Sequence, residues 1–211
     1  LARALFVGEQ HQRAVEVADR ALAAAERGDL VALVADTLVT RGSALCHLGR
    51  SYEGVGAIRT GIDLAETNGL TAITWRGLNN LSALLDDSDF RGELDAARTS
   101  LALAARLGDG AGYAFTLVNA TQAAVETGDW DWVQGEIETA MDSAPEAVER
   151  ALVTWSRLMI GSLRGEDLAG EATWLEGFLG ASDEKSRRDW IPEVRFWVAF
   201  GAGRLSEAYD A

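Results

Sequence analysis

The stretch that decides the fold runs from Thr37 to Gly69 and reads TLVTRGSALCHLGRSYEGVGAIRTGIDLAETNG. Its apolar residues, among them Leu38 and Leu45, recur at spacings typical of a helix that buries one face. A turn beginning at Gly49 interrupts the pattern, so the stretch predicts two amphipathic helices joined tightly. Small residues stand where these two helices would touch: Gly42, Gly54 and Gly61.

The rest of the chain repeats this design, and no alternating run of β-branched residues is long enough to predict a strand. The fold class is therefore all-α. Glycines follow most of the periodic segments, and glycine tolerates the left-handed backbone that closes a helix. The predicted helices cover 9–27, 31–48, 51–68, 71–87, 91–107, 111–127, 130–143, 146–164, 168–180 and 188–202, with a last segment from 205.

Helix starts are marked by capping residues. Asp29, Asp89 and Asp129 are predicted N-caps, because an aspartate side chain can accept hydrogen bonds from the first free N–H groups. Ser143 with Glu146 has the spacing of a capping box. The two prolines, Pro145 and Pro192, fall in first turns, where a missing N–H does no harm.

The turns within helix pairs recur at a nearly constant period. They are assigned to Gly8, Gly49, Ser88, Gly128, Gly165 and Gly203, with spacings of 41, 39, 40, 37 and 38 residues. A period of about 40 in an all-helical chain predicts stacked hairpins, each covering the apolar face of its neighbour. Trp130, Phe90 and Trp174 fall at core positions of this repeat, and we assign them to the core.

The residues around the turns resemble tetratricopeptide (TPR) repeats. The best copy has Gly128-Asp129-Trp130, then Ala140 and Pro145, and others have Gly49, Gly54 and Gly61 or Gly165, Gly170 and Gly177. Val133 and Glu93 depart from the pattern, since a small residue is expected at their positions. The period is longer than the usual 34 residues and resembles helical-repeat regions of bacterial LuxR-type ATPase transcription regulators and class III nucleotide cyclases.

This resemblance implies a right-handed α-α superhelix of about five hairpins. Residues 1–211 would form one domain, cut at both ends from a longer bacterial signalling or transcription-regulatory protein. The expected role is the sensor or interaction arm of that protein, a module for binding a protein, a peptide or an effector. The alternative role is an oligomerisation scaffold.

Composition limits the partners. The net charge of −14 repels phosphate backbones and anionic membrane surfaces, which argues against nucleic-acid contact. No apolar run approaches the length of a membrane span. A single cysteine, Cys46, precludes an internal disulfide and fits the cytoplasm.

The chain lacks the motifs of a catalytic or cofactor site. It contains no phosphate loop, and Gly108-Asp-Gly-Ala-Gly112 follows no predicted strand, so we interpret it as a turn. His11 and His47 lie in different repeats without HExxH spacing. Acidic pairs stand at helix ends, where capping explains them. We therefore expect no enzyme, no metal and no cofactor.

The first helix of each hairpin would line the concave side of a TPR stack, and that placement selects the candidate ligand-binding residues. Asn80 and Asn119 match the family position that holds a peptide backbone, and Arg76 could anchor a carboxylate or phosphate. Trp155 and Met159 are one turn apart and could form an apolar pocket, or could be core. The candidates are Arg76, Asn79, Asn80, Phe115, Asn119, Gln122, Trp155 and Met159.

Self-association is the second interpretation. Ala4, Leu5 and Val7 at one end, and Trp197, Phe200 and Leu205 at the other, would leave apolar faces uncovered. Such faces could pair two copies as a homodimer.

Overall fold

The computed structural model describes residues 1–85, 89–143, 146–182 and 188–210, and within these ranges it contains helices and no strand. The all-α prediction is confirmed. The twelve helices of the described residues are α1 (Ala2–Val7), α2 (His11–Arg27), α3 (Val31–His47), α4 (Ser51–Thr67), α5 (Thr71–Leu84), α6 (Phe90–Leu107), α7 (Gly110–Thr127), α8 (Trp130–Asp142), α9 (Ala147–Leu163), α10 (Ala169–Gly180), α11 (Ile191–Gly201) and α12 (Leu205–Asp210).

Most helices close as the sequence predicts. Gly49 and Gly69 adopt φ angles of 74° and 67°, the left-handed backbone that follows a helix. The end of α2 differs, since Gly28 has a φ of −95° and Asp29 takes the left-handed position with a φ of 52°. Asp29 is therefore not an N-cap, and Leu30 occupies that position before α3.

The capping predictions have mixed outcomes. Asp89 accepts a hydrogen bond from the Gly92 N–H at 3.0 Å, as predicted. The Ser143–Glu146 capping box is wrong, because Glu146 is itself the N-cap of α9 and pairs with Glu149. The Ser143 hydroxyl instead donates to the Ala140 carbonyl at the end of α8.

Asp129 is the N-cap of α8 but makes no capping hydrogen bond with its side chain. Pro192 lies in the first turn of α11, as predicted. Pro145 and the turn residue Ser88 lie outside the described residues.

The chain divides into two compact units, Leu1–Gly108 and Asp109–Ala211. Within each unit, consecutive helices pack against one another. The first helices of successive pairs also touch, so that α3 contacts both α1 and α5, and α9 contacts both α7 and α11. Each unit therefore repeats one packing scheme over three helix pairs. The first pair of the first unit and the last pair of the second unit each contain a helix of six residues.

The closest helix contact of the first unit follows the predicted glycines. A Cβ built on Gly42 would lie 2.5 Å from the Gly54 carbonyl oxygen, and one on Gly54 would overlap the Cys46 sulfur. A Cβ on Gly61 would lie 2.9 Å from Val39 Cγ2. The backbones of α3 and α4 approach so closely that only glycine fits.

The aromatic core of the second unit differs from the prediction. Trp155 is buried at 3% exposure, whereas Trp130 and Trp174 are half-buried. Phe90, in the first unit, is 37% exposed. The residues next to the turns thus cover the edges of the core, and the buried tryptophan comes from the middle of α9. None of the described helices combines the length and the apolar character that a bilayer-spanning segment requires.

Candidate functional site

Arg76, predicted to be an anion anchor, is buried in the contact between α3 and α5. Its guanidinium donates to the Asp36 carbonyl at 2.6 Å and to the Asp36 carboxylate at 2.8 Å. Burial lowers the pKa of Arg76, the nearby charge of Arg3 adds to this, and Asp36 opposes it. The Asp36 carboxylate neutralises the Arg76 guanidinium, so Arg76 links two helix pairs and is not available to bind an anionic ligand.

The Asn80 carboxamide of α5 lies in the same contact, and the neighbouring Asn79 is buried. Asn80 Nδ2 donates to the Ser43 hydroxyl at 2.8 Å, and Asn79 is buried at 4% exposure. Ser43 in turn donates to the Val39 carbonyl within α3. These polar groups therefore connect α5 to α3, and Asn80 remains half-buried.

Trp155 and Met159 are core residues and do not form an open pocket. They are 3% and 5% exposed and belong to a cluster that includes Val194 of α11. The Trp155 ring lies 5.2 Å from the Trp190 ring, tilted by 43°. Helix α11 therefore covers the apolar stripe of α9.

The three candidates on α7 lie on one side of that helix, and two of them are exposed. Phe115 is 49% exposed, Gln122 is exposed and Asn119 is half-buried. Their spacing of four and three residues places them on one side of the helix, and we call this set the α7 stripe. Of the eight predicted residues, the structure brings these three together on an open surface.

A second accessible feature was not predicted. Helices α8 and α10 both pack on α9, and the space between them holds two cavities of about 320 and 490 Å³. The cavities share Met141, Arg157 and Glu171, so they form one groove, which we call the α8–α10 groove. The heptad spacing of Arg150 and Arg157 was visible in the sequence, but their proximity to Trp174 depends on the packing of α10.

A histidine pair in the first unit was also missed. The His11 and His47 rings stack with centroids 4.6 Å apart and planes within 8°. Phe6 lies about equally close to both, at 5.6 and 5.5 Å. Burial lowers the pKa of His47, His11 lowers it further, and Glu9 acts in the opposite direction. Because the two histidines are far apart in sequence, no spacing rule could have paired them.

Metal chemistry finds no support in this arrangement. Within the described residues, no three His, Cys, Asp or Glu side chains come together as potential metal ligands.

No protein-family model matches the sequence, and no curated protein is significantly similar to it.

Proposed function

We propose that this chain is a non-catalytic interaction module of the tetratricopeptide type, which holds an extended peptide or a small effector against the α7 stripe. It would act as the sensor or interaction arm of a larger signalling or transcription-regulatory protein. The observation that carries this proposal is the exposure of Phe115, at 49%, beside two carboxamides on a first helix of the repeat.

The chemistry of the stripe suits a peptide. Aromatic side chains contribute strongly to binding because they bury a large area at little cost in conformational entropy. The Gln122 carboxamide both donates and accepts, as an extended peptide backbone requires. The opposite side of α7 is occupied by buried residues such as Leu117 and Ala124, which hold the stripe on a rigid support.

Peptide selection tests the proposal. Random peptides displayed on phage are selected on the protein, and their affinities are measured by calorimetry for wild type, Phe115→Ala and Tyr52→Ala. Tyr52 is fully exposed on α4, so its removal is a matched control for losing an exposed aromatic ring. We expect Phe115→Ala to weaken binding about tenfold or more and Tyr52→Ala to have no effect. Equal effects of the two substitutions, or no enriched peptide, would contradict the proposal.

Self-association is a second candidate, supported by apolar exposure at both ends of the chain. Val7 is 73% exposed, and Leu205 and Tyr209 are 65% and 91% exposed. Two residues predicted for these faces, Leu5 and Trp197, are instead half-buried against their own cores. Light scattering over a concentration series tests this candidate, with Leu205→Asp as the variant. A dimer that Leu205→Asp disrupts would support it, and a monomer at all concentrations would exclude it.

A further inference from the structure

The α8–α10 groove has a cationic end formed by Arg150. Its guanidinium lies over the Trp174 ring, 4.5 Å from the centroid. Arg150 makes no ion pair with any described residue, whereas Arg164, Arg195 and Arg204 each have a carboxylate partner. The cation is therefore positioned by the indole but not neutralised, and it can accept an anionic group.

The other end of the groove is acidic. Glu138 and Asp142 line it from α8, and both are exposed. Between the two ends, Arg157 lies 3.5 Å from Glu166 and 3.6 Å from Glu171, so its charge is balanced within the protein. The groove thus presents a positive end, a neutral middle and a negative end.

The groove also offers apolar contacts beside its charged groups. Met141 lines both cavities, and a thioether adapts to varied apolar shapes. Gly170 leaves space open on α10, since nothing lies within 4 Å of the position where its Cβ would be. The cavity volumes of about 320 and 490 Å³ fall in the range of ligand sites.

The length of the groove sets the spacing of the ligand charges. Arg150 and Arg157 are seven residues apart on α9, a helical rise of about 10 Å. An extended chain advances about 3.3 Å per residue, so about three residues reach from Arg150 to the middle of the groove at Arg157, and about four reach the acidic end beyond it. Side chains four residues apart also lie on the same side of an extended chain, so both can face the groove.

We propose that the α8–α10 groove binds a short extended peptide segment in which an acidic and a basic side chain lie four residues apart with apolar residues between them. The acidic group pairs with Arg150, the apolar residues lie on Met141 and Trp174, and the basic group faces Glu138 and Asp142. This site is separate from the α7 stripe and does not depend on it.

Synthetic peptides test this proposal. The probe is acetyl-Glu-Leu-Leu-Leu-Lys-amide, in which Glu, the central Leu and Lys lie on one side of the extended chain. Its matched controls are the all-acidic and all-basic forms, in which Lys is replaced by Glu or Glu by Lys. Binding is measured by calorimetry and by tryptophan fluorescence. We expect the mixed-charge peptide to bind saturably and at least about fivefold more tightly than either control.

Substitutions of Arg150, the cationic end of the groove, sharpen the test. Arg150→Gln should weaken the mixed-charge peptide about tenfold, because one charge-assisted hydrogen-bond pair is lost. Arg20→Gln makes the same charge change at an exposed position of α2 and should leave the affinity unchanged. Arg150→Glu should reverse the preference, so that the all-basic peptide binds best. Circular dichroism confirms that each variant is folded.

Several results would overturn the proposal. They are the absence of saturable binding, equal binding of all three peptides, and equal effects of Arg150→Gln and Arg20→Gln. A loss of binding in Phe115→Ala but not in Arg150→Gln would place the peptide on the α7 stripe. That result would overturn this site while supporting the proposed function.

Discussion

Two helix pairs, α3–α4 and α9–α10, carry glycines at matching positions and use them differently. Gly54 and Gly61 follow the turn glycine of the first pair by five and twelve residues, and Gly170 and Gly177 do so in the other pair. In α3–α4 a Cβ at either glycine would overlap the partner helix, whereas nothing lies within 4 Å of a Cβ at Gly170 or Gly177.

The residue on the facing helix explains the difference. Gly42 lies seven residues before the turn glycine of α3–α4, and Leu158 has the same offset in α9–α10. Leu158 is fully buried in the cluster of large side chains around Trp155. Its side chain occupies the position that is empty beside Gly42, where the backbone of α4 comes close instead. At this position, close contact of the two backbones therefore requires a small residue on both helices.

The largest expected effect concerns the side-chain core of the second unit. Trp155→Ala should lower the free energy of unfolding by about 3 to 5 kcal/mol, because it removes a buried indole and leaves a cavity. Trp174→Ala removes a half-buried indole and should cost less than half as much. Urea unfolding followed by circular dichroism measures both. Equal losses would show that the α9–α10 pair does not depend on the Trp155 cluster.

The second-largest expected effect concerns the glycine contact between α3 and α4 in the first unit. Gly54→Ala should cost roughly 2 to 3 kcal/mol, because the added methyl group meets the Cys46 sulfur and the Gly42 carbonyl. Gly56→Ala is the matched control on the same helix, since nothing lies within 4 Å of its Cβ position. The control should stabilise the protein slightly, and a similar loss in both variants would refute the close contact of α3 and α4.

Equivalent glycines of the two pairs should respond with opposite signs. Gly61→Ala should destabilise by about 1 kcal/mol, because its Cβ would lie 3.0 Å from the Ala35 carbonyl oxygen. Gly177→Ala should stabilise by about 0.5 to 1 kcal/mol, since alanine loses less backbone entropy on folding and meets no neighbour here. Thermal melting of the two variants gives the signs, and a shared sign would remove the distinction between the pairs.

The smallest effect is a pH dependence confined to the first unit. The pKa of His47 is lowered from its ordinary value of 6.5, so the unfolded chain binds more protons than the folded one. Stability should therefore fall slightly as the pH drops through about 6.5, and the loss should be small because much of the His47 side chain remains accessible to solvent. Urea unfolding at pH 7.5 and 5.5 should show this loss in wild type and a smaller loss in His47→Gln. An unchanged pH dependence in the variant would exclude the histidine pair as its source.

Much of the local structure was predictable. Helix 31–48 was predicted and Val31–His47 is observed, and the prediction for residues 168–180 compares with Ala169–Gly180. Helix start and stop signals act within one turn of the chain, so a short window of sequence contains them. The error at Asp29 has the same scale, since it moves the helix closure by one residue.

The candidate site was predictable only in part. Phe115 and Gln122 were assigned to the groove-facing side of α7 by the register of the resemblance to tetratricopeptide repeats, and the structure leaves them accessible. The role of Arg76 was not predictable, because its partner Asp36 is 40 residues away in the preceding helix pair. For the same reason, neither the Arg150–Trp174 contact nor the stacking of His11 on His47 was predictable, since the partners lie on different helices.

The sequence by itself determined the helices, their turns and the order in which neighbouring pairs occur, because each of these depends on residues close together in the chain. Tertiary structure alone decided which glycines touch a facing backbone, which tryptophan is buried and which aromatic ring Arg150 lies over. Those outcomes depend on both sides of a contact, and the second side comes from a helix that the local pattern does not specify.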